Sequence, residues 1–79
     1  MTTMADNFKL LANLDEAVAV QIQSMLRLLE DNTSTRLTLS NLNTDAQTVD
    51  FTIDEGSMDD VQQACEFKGV TINGNALSV

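Results

Sequence analysis

A chain of 79 residues with 43% hydrophobic content is long enough for one small folded domain, too apolar for disorder and too short for a large core. Twelve acids against Lys9, Arg27, Arg36 and Lys68 give a formal charge of −8, which repels nucleic-acid phosphate and draws basic surfaces instead. There is no His, Trp or Tyr, which removes the commonest general base and metal ligand and every Ser–His or Cys–His nucleophile.

Residues 1–6 read as a loose start to a single domain spanning 1–79. Residues 7–12, NFKLLA, alternate Phe8, Leu10 and Ala12 with Lys9 and Leu11, which predicts a strand. The alternative is a helix in phase with the next one, since Met4, Leu11, Val18 and Met25 fall at seven-residue steps. Asn13 as an N-cap and Glu16 three residues on form a capping-box spacing that favours a break between the two segments. Residues 13–31 are the longest periodic run. Leu14, Val18, Ile22, Met25 and Leu29 recur at steps of three and four, with Ala17 and Leu28 on one flank and Leu26 on the other. That apolar arc covers roughly half the circumference, where an amphipathic stripe needs only about 100°. Such a helix has two neighbours: a sheet, and a second helix or another subunit.

Turn-forming residues 31–34 stop the helix. Residues 36–43, RLTLSNLN, alternate Leu37 and Leu39 with Thr38 and Ser40, then switch face at Leu42, which predicts a strand. Residues 48–54, TVDFTID, put Val49, Phe51 and Ile53 on one face and Thr48, Asp50, Thr52 and Asp54 on the other. The pair reads as an antiparallel hairpin. Ser57 is the N-cap of a second helix with Asp59 and Asp60 in its first turn, and Lys68-Gly69 closes it. Met58, Val61, Ala64, Cys65 and Phe67 supply its apolar side. Asn73-Gly74 between residues 70–72 and 76–79 predicts a tight closing hairpin. The fold class is therefore α+β: a small antiparallel sheet with two helices on one face, in the ferredoxin-like order βαββαβ if residues 7–12 are a strand. If they are helical, a three- or four-stranded sheet packs against a longer N-terminal helix.

KLLANL, at residues 9–14, is loosely similar to the first-strand motif of RNA-recognition-motif domains, and residues 64–75 resemble their closing helix and hairpin. The resemblance implies topology alone. That family stacks bases on aromatics at the centre of the sheet; the corresponding outward positions here are Leu10, Thr48 and Asp50, and the family's basic residues are absent.

Few residues here can carry chemistry. Cys65 falls on the inner side of the second helix and reads as a small buried hydrophobe. Three glycines make no phosphate loop; as calcium loops, residues 55–66 put Asp60 where the Gly is needed, and residues 41–52 put Ala46 there and Thr52 in place of the closing Glu. Neither a metal nor a cofactor is expected, and catalysis is not. Asp45, Asp50, Asp54, Glu55, Asp59 and Asp60 all come from one third of the chain, and on a shared surface they form an acidic patch whose spacing imitates a phosphate array. Val20, Met25, Leu26 and Leu29 form a candidate apolar interface, on which a homodimer is expected.

The sequence thus points to a non-catalytic acidic protein-interaction module, an inhibitor or accessory factor of the kind phages and mobile elements encode, binding a basic nucleic-acid-handling protein. Direct nucleic-acid binding and membrane insertion are not expected, there being no long apolar run. One cysteine, and a start without the basic and apolar segments of a signal peptide, fit a reducing, cytoplasmic setting. The rivals are a small-ligand-binding regulatory domain with a site between subunits, and a structural subunit of a larger assembly.

Overall fold

The computed structural model describes residues 3–79 and begins with a helix where the alternation predicted a strand. Helix α1 spans Met4–Leu11. Thr3 caps it: its hydroxyl accepts from Asp6 N–H at 3.2 Å, and the Asp6 carboxylate accepts from Thr3 N–H at 3.0 Å. This reciprocal box satisfies two otherwise free amides of the first turn. Met4, Phe8 and Leu11 are spaced for one helical face, so the residues that alternate in two-residue steps serve a helix equally well. Residues 3–6 are thus a helix start and not a loose one; Met1 and Thr2 lie outside the described residues. Asn13 also differs from its expected role. Its side chain donates to Lys9 O at 3.4 Å and Leu10 O at 3.1 Å, so it closes α1. The long helix α2, Glu16–Asn32, starts after Asp15, whose side chain makes no capping bond. The βαββαβ order is therefore not formed, and KLLANL, likened to a first strand, lies in α1 and the link to α2.

Strands β1 (Arg36–Asn43) and β2 (Thr48–Glu55) form the expected hairpin. The predicted switch of face is a bulge: Asn41 takes φ +51°, and the register slips between Ser40 and Asn43. Helix α3, Met58–Lys68, has Ser57 as N-cap and Gly69 as a left-handed C-cap at φ +71°. Strands β3 (Thr71–Asn73) and β4 (Ala76–Ser78) follow. Their loop is Gly74-Asn75 and not Asn73-Gly74, because Asn73 already pairs with Ala76. Gly74, at φ +64°, supplies the positive φ at the first loop position. The sheet is antiparallel throughout, in the order β1-β2-β4-β3.

Among the described residues three helices, not two, pack against this α+β sheet, with α1 at the β1 edge. Leu37, Leu39, Val49, Phe51 and Leu77 point into a single core with Leu11, Ile22, Met25, Leu29, Val61 and Cys65. The wide arc of α2 finds its neighbours within the chain: α1 on one flank, α3 on the other and the sheet beneath. The opposite sheet face carries Thr38, Ser40, Asp50, Thr52 and Asp54, with Ala76 and Asn73 in the same cross-strand row as Asp50.

One contact explains how a helix stands where a strand was expected. Asn7, only 5% exposed, donates from Nδ2 to Leu37 O at 2.9 Å and accepts from Leu39 N–H at 3.1 Å through Oδ1. These are the outward-facing backbone groups on either side of Thr38. A neighbouring strand would bond them; here one carboxamide does, and α1 shields the β1 edge.

Candidate functional site

The six predicted acids do not share one surface. Asp45 sits in the β1–β2 turn, where its amide donates to Asn43 Oδ1 at 3.0 Å. Seven steps along β2, at about 3.3 Å each, carry the chain from Thr48 to Glu55 at the other end of the hairpin. Asp50 lies mid-sheet on the open face and accepts from Asn41 Nδ2 at 3.3 Å. Asp54 is on that face, near the far end, and accepts from Thr38 Oγ1 at 2.5 Å. Glu55 and Asp59 are exposed beside it in sequence, flanking the turn into α3.

Asp60 has a structural task. Thr35, 1% exposed, donates its hydroxyl to Asp60 Oδ2 at 2.7 Å and accepts from Ser57 N–H at 3.1 Å. The clamp ties the start of β1 to the first turn of α3. Gly56 at φ +100° makes room for it: a Cβ there would lie 2.0 Å from Thr35 Oγ1. The structure thus gathers Asp54, Glu55 and Asp59 at one end, engages Asp60 in the clamp, and leaves Asp45 at the opposite end.

It also brings in an acid outside the predicted six. Glu30, on the outer side of α2, shares a groove of about 560 Å³ with Asp54 and Glu55. Met4, Leu26, Leu29 and Leu37 contribute apolar atoms to its walls, and Arg36 lies in it. No sequence signal brings Glu30 there, because the meeting depends on how α2 crosses the hairpin.

Arg36 stands in this groove against three carboxylates and offsets them only in part. Arg36 spends its guanidinium on main-chain carbonyls: Nη1 donates to Thr33 O at 2.9 Å and Thr35 O at 2.8 Å, and Nη2 to Glu30 O at 3.4 Å. There it closes the C-terminus of α2, where the helix dipole favours a positive charge. Arg27 stacks over Phe8 with its guanidinium carbon 5.0 Å from the ring centre, and the Lys68 ammonium stands 5.5 Å from that of Phe67. Three of the four cations thus face uncharged partners.

The expected apolar interface dissolves. Met25, Leu26 and Leu29 are core residues at 0%, 3% and 2% exposure, and of the four only Val20, at 53%, faces outward. The wide arc behind that expectation is filled by α1 and α3. Phe67 also departs from its predicted inward place, being 76% exposed. Cys65 is buried as expected, and burial pushes its thiol up to about 11. The Asp6 carboxyl is held below the usual carboxylate range, mainly by the Thr3 backbone N–H and then by the Thr3 hydroxyl.

Among the described residues, no three His, Cys, Asp or Glu side chains converge as a metal cage requires, and no helix is long and apolar enough to cross a membrane. No family model matches the chain, and neither a curated protein nor a solved structure does.

Proposed function

We propose that this chain is a non-catalytic acidic module that binds a basic protein in the cytoplasm, as an inhibitor or accessory factor of a nucleic-acid-handling protein. The contact end is formed by Asp54, Glu55 and Asp59, with Glu30 across the groove. The observation that carries the reading is the unequal use of charge. Arg27, Arg36 and Lys68 make their contacts to rings and carbonyls, and Arg36 alone lines the groove against Glu30, Asp54 and Glu55, so this end keeps a net negative field. A surface of that sign attracts Lys- and Arg-rich surfaces over about a Debye length, roughly 8 Å at physiological ionic strength. Asp50 and Asp54, on a sheet face that no helix covers, extend it sideways.

The test is an affinity capture from host lysate with the wild-type chain and with the triple variant Asp54→Lys, Glu55→Lys, Asp59→Lys, at low and at physiological salt. The reading expects a basic protein held by the wild type, released by salt and lost in the variant. Equal capture of the same proteins by both chains would sink it.

A further inference from the structure

Long-range attraction does not give an ordered contact, and the molecule offers a separate surface for one. Helices α2 and α3 run antiparallel: Gln21 Nε2 donates to Lys68 O at 2.9 Å and Gly69 O at 2.8 Å at one end of their seam. At the other end Asn32 and Thr33 face Asp60 and Gln63 across a hollow of about 340 Å³, with Leu28, Ala64 and Phe67 also lining it. A second hollow continues the line, formed by Ala17, Val20 and Ser24 between Glu16 and Lys68. From Ala17 to Asn32 the seam extends about 22 Å, four helical turns.

Its chemistry is consistent along that length. The two most exposed large apolar side chains of the helical layer, Phe67 at 76% and Val20 at 53%, stand on it. The small side chains of Ala17, Ser24 and Ala64 leave room between them. The Phe67 ring already carries one ammonium, that of Lys68. Carboxylates stand close by: Glu16 at one hollow, Asp60 at the other, and Glu66 beside Phe67 in sequence. An apolar trough with an open aromatic face and acids at both ends is complementary to apolar residues flanked by cations.

We infer that the α2–α3 seam docks an amphipathic helix of a partner protein, with apolar residues at i, i+3 or i+4 and i+7 and Lys or Arg along its flanks. This rests on the proposed function, since it names the element of the basic partner that makes the ordered contact. A second copy of the chain is a poor occupant, because each copy carries a charge of −8 and the acids at both ends of the seam would face their own kind.

Two synthetic peptides of identical Leu, Ala and Lys composition provide the probe, one with leucines at helical spacing and one scrambled. Binding is followed through the backbone amide resonances of the labelled protein. The amphipathic peptide is expected to bind more tightly than the scrambled one and to perturb Val20, Ser24, Leu28 and Ala64. Phe67→Ser is expected to weaken it by about tenfold. Because Phe67 is so exposed, that variant keeps the wild-type melting temperature. If both peptides bind equally, perturb only Asp54, Glu55 and Asp59, and ignore Phe67→Ser, the seam is refuted while the basic-partner reading stands. If neither peptide binds at low salt, both fall. Self-association abolished by Phe67→Ser, seen by sedimentation without peptide, would assign the seam to a second copy and overturn the inference.

Discussion

Among the described residues Asn7 and Thr35 are the two buried polar ones, and each joins elements that apolar packing alone does not align. Asn7→Leu strips Leu37 C=O and Leu39 N–H of their partner under α1. A buried group left unpaired costs about 1–3 kcal/mol, so for two such groups a loss of about 2–6 kcal/mol in urea unfolding is expected. Unchanged stability would mean that the edge needs no cover. Thr35→Val keeps the shape but breaks both bonds of the clamp, costing about 1–3 kcal/mol. Gly56→Ala strains the same clamp from the other side. The double variant should therefore lose less than the sum of the two single losses, because the clamp can be broken only once. Cys65, buried and with its thiol raised to about 11, should resist alkylation in the native state and react on unfolding, which mass spectrometry would follow. The role of Cys65 was legible in the sequence, because helical spacing placed it on the apolar side. Those of Asn7 and Thr35 were not, because each bonds to chain far away in sequence.

Helix α1 is the element on which sequence and structure part. Met4, Phe8 and Leu11 fit a helix as well as Phe8, Leu10 and Ala12 fit a strand, and hydrophobic pattern cannot choose between them. The choice lies in Thr3 and Asp6, a cap that the stronger-looking Asn13–Glu16 spacing obscured. Eight residues are too few for a helix to persist in isolation, where about 12–15 are marginal, so α1 depends on its cap and its docking. The cap gives α1 a pH dependence. The folded-state pKa of Asp6 is depressed, so its contribution is present above the ordinary carboxylate value of 3.8 and is lost as pH falls through the folded value. Amide shifts of α1 should therefore report loosening on acidification, and Asp6→Asn should remove that dependence while leaving α3 untouched. By contrast β1, β2 and α3 were legible, because period-two alternation, Ser57 and Gly69 all agree there.

At the scale of the whole molecule the charge acts on stability and on association with opposite sign. Twelve carboxylates repel one another in the compact state, so salt added from low to physiological ionic strength should raise the melting temperature. Over the same range the affinity for a basic partner should fall. A melting temperature that fell with salt would show that attraction dominates within the fold, contrary to the engagement of Arg27, Arg36 and Lys68 described above. The α+β class was readable because hairpin and helix signals come in order along the chain. The grouping of the acids was not. A strand separates residues that are close in sequence, taking Asp45 to one end and Glu55 to the other. The crossing of α2 brings in Glu30, which sequence distance hides.

The bond from Leu39 N–H to Asn7 Oδ1 runs between two elements and belongs to no ladder. The Leu39 amide proton can be replaced by deuterium only when α1 lifts from the β1 edge, whereas the β1 amides that face β2 wait for the hairpin itself to open. Deuterium uptake at that one position therefore times the undocking of α1 separately from global unfolding, and a ratio of the two rates near unity would mean that α1 and the sheet open as one cooperative unit.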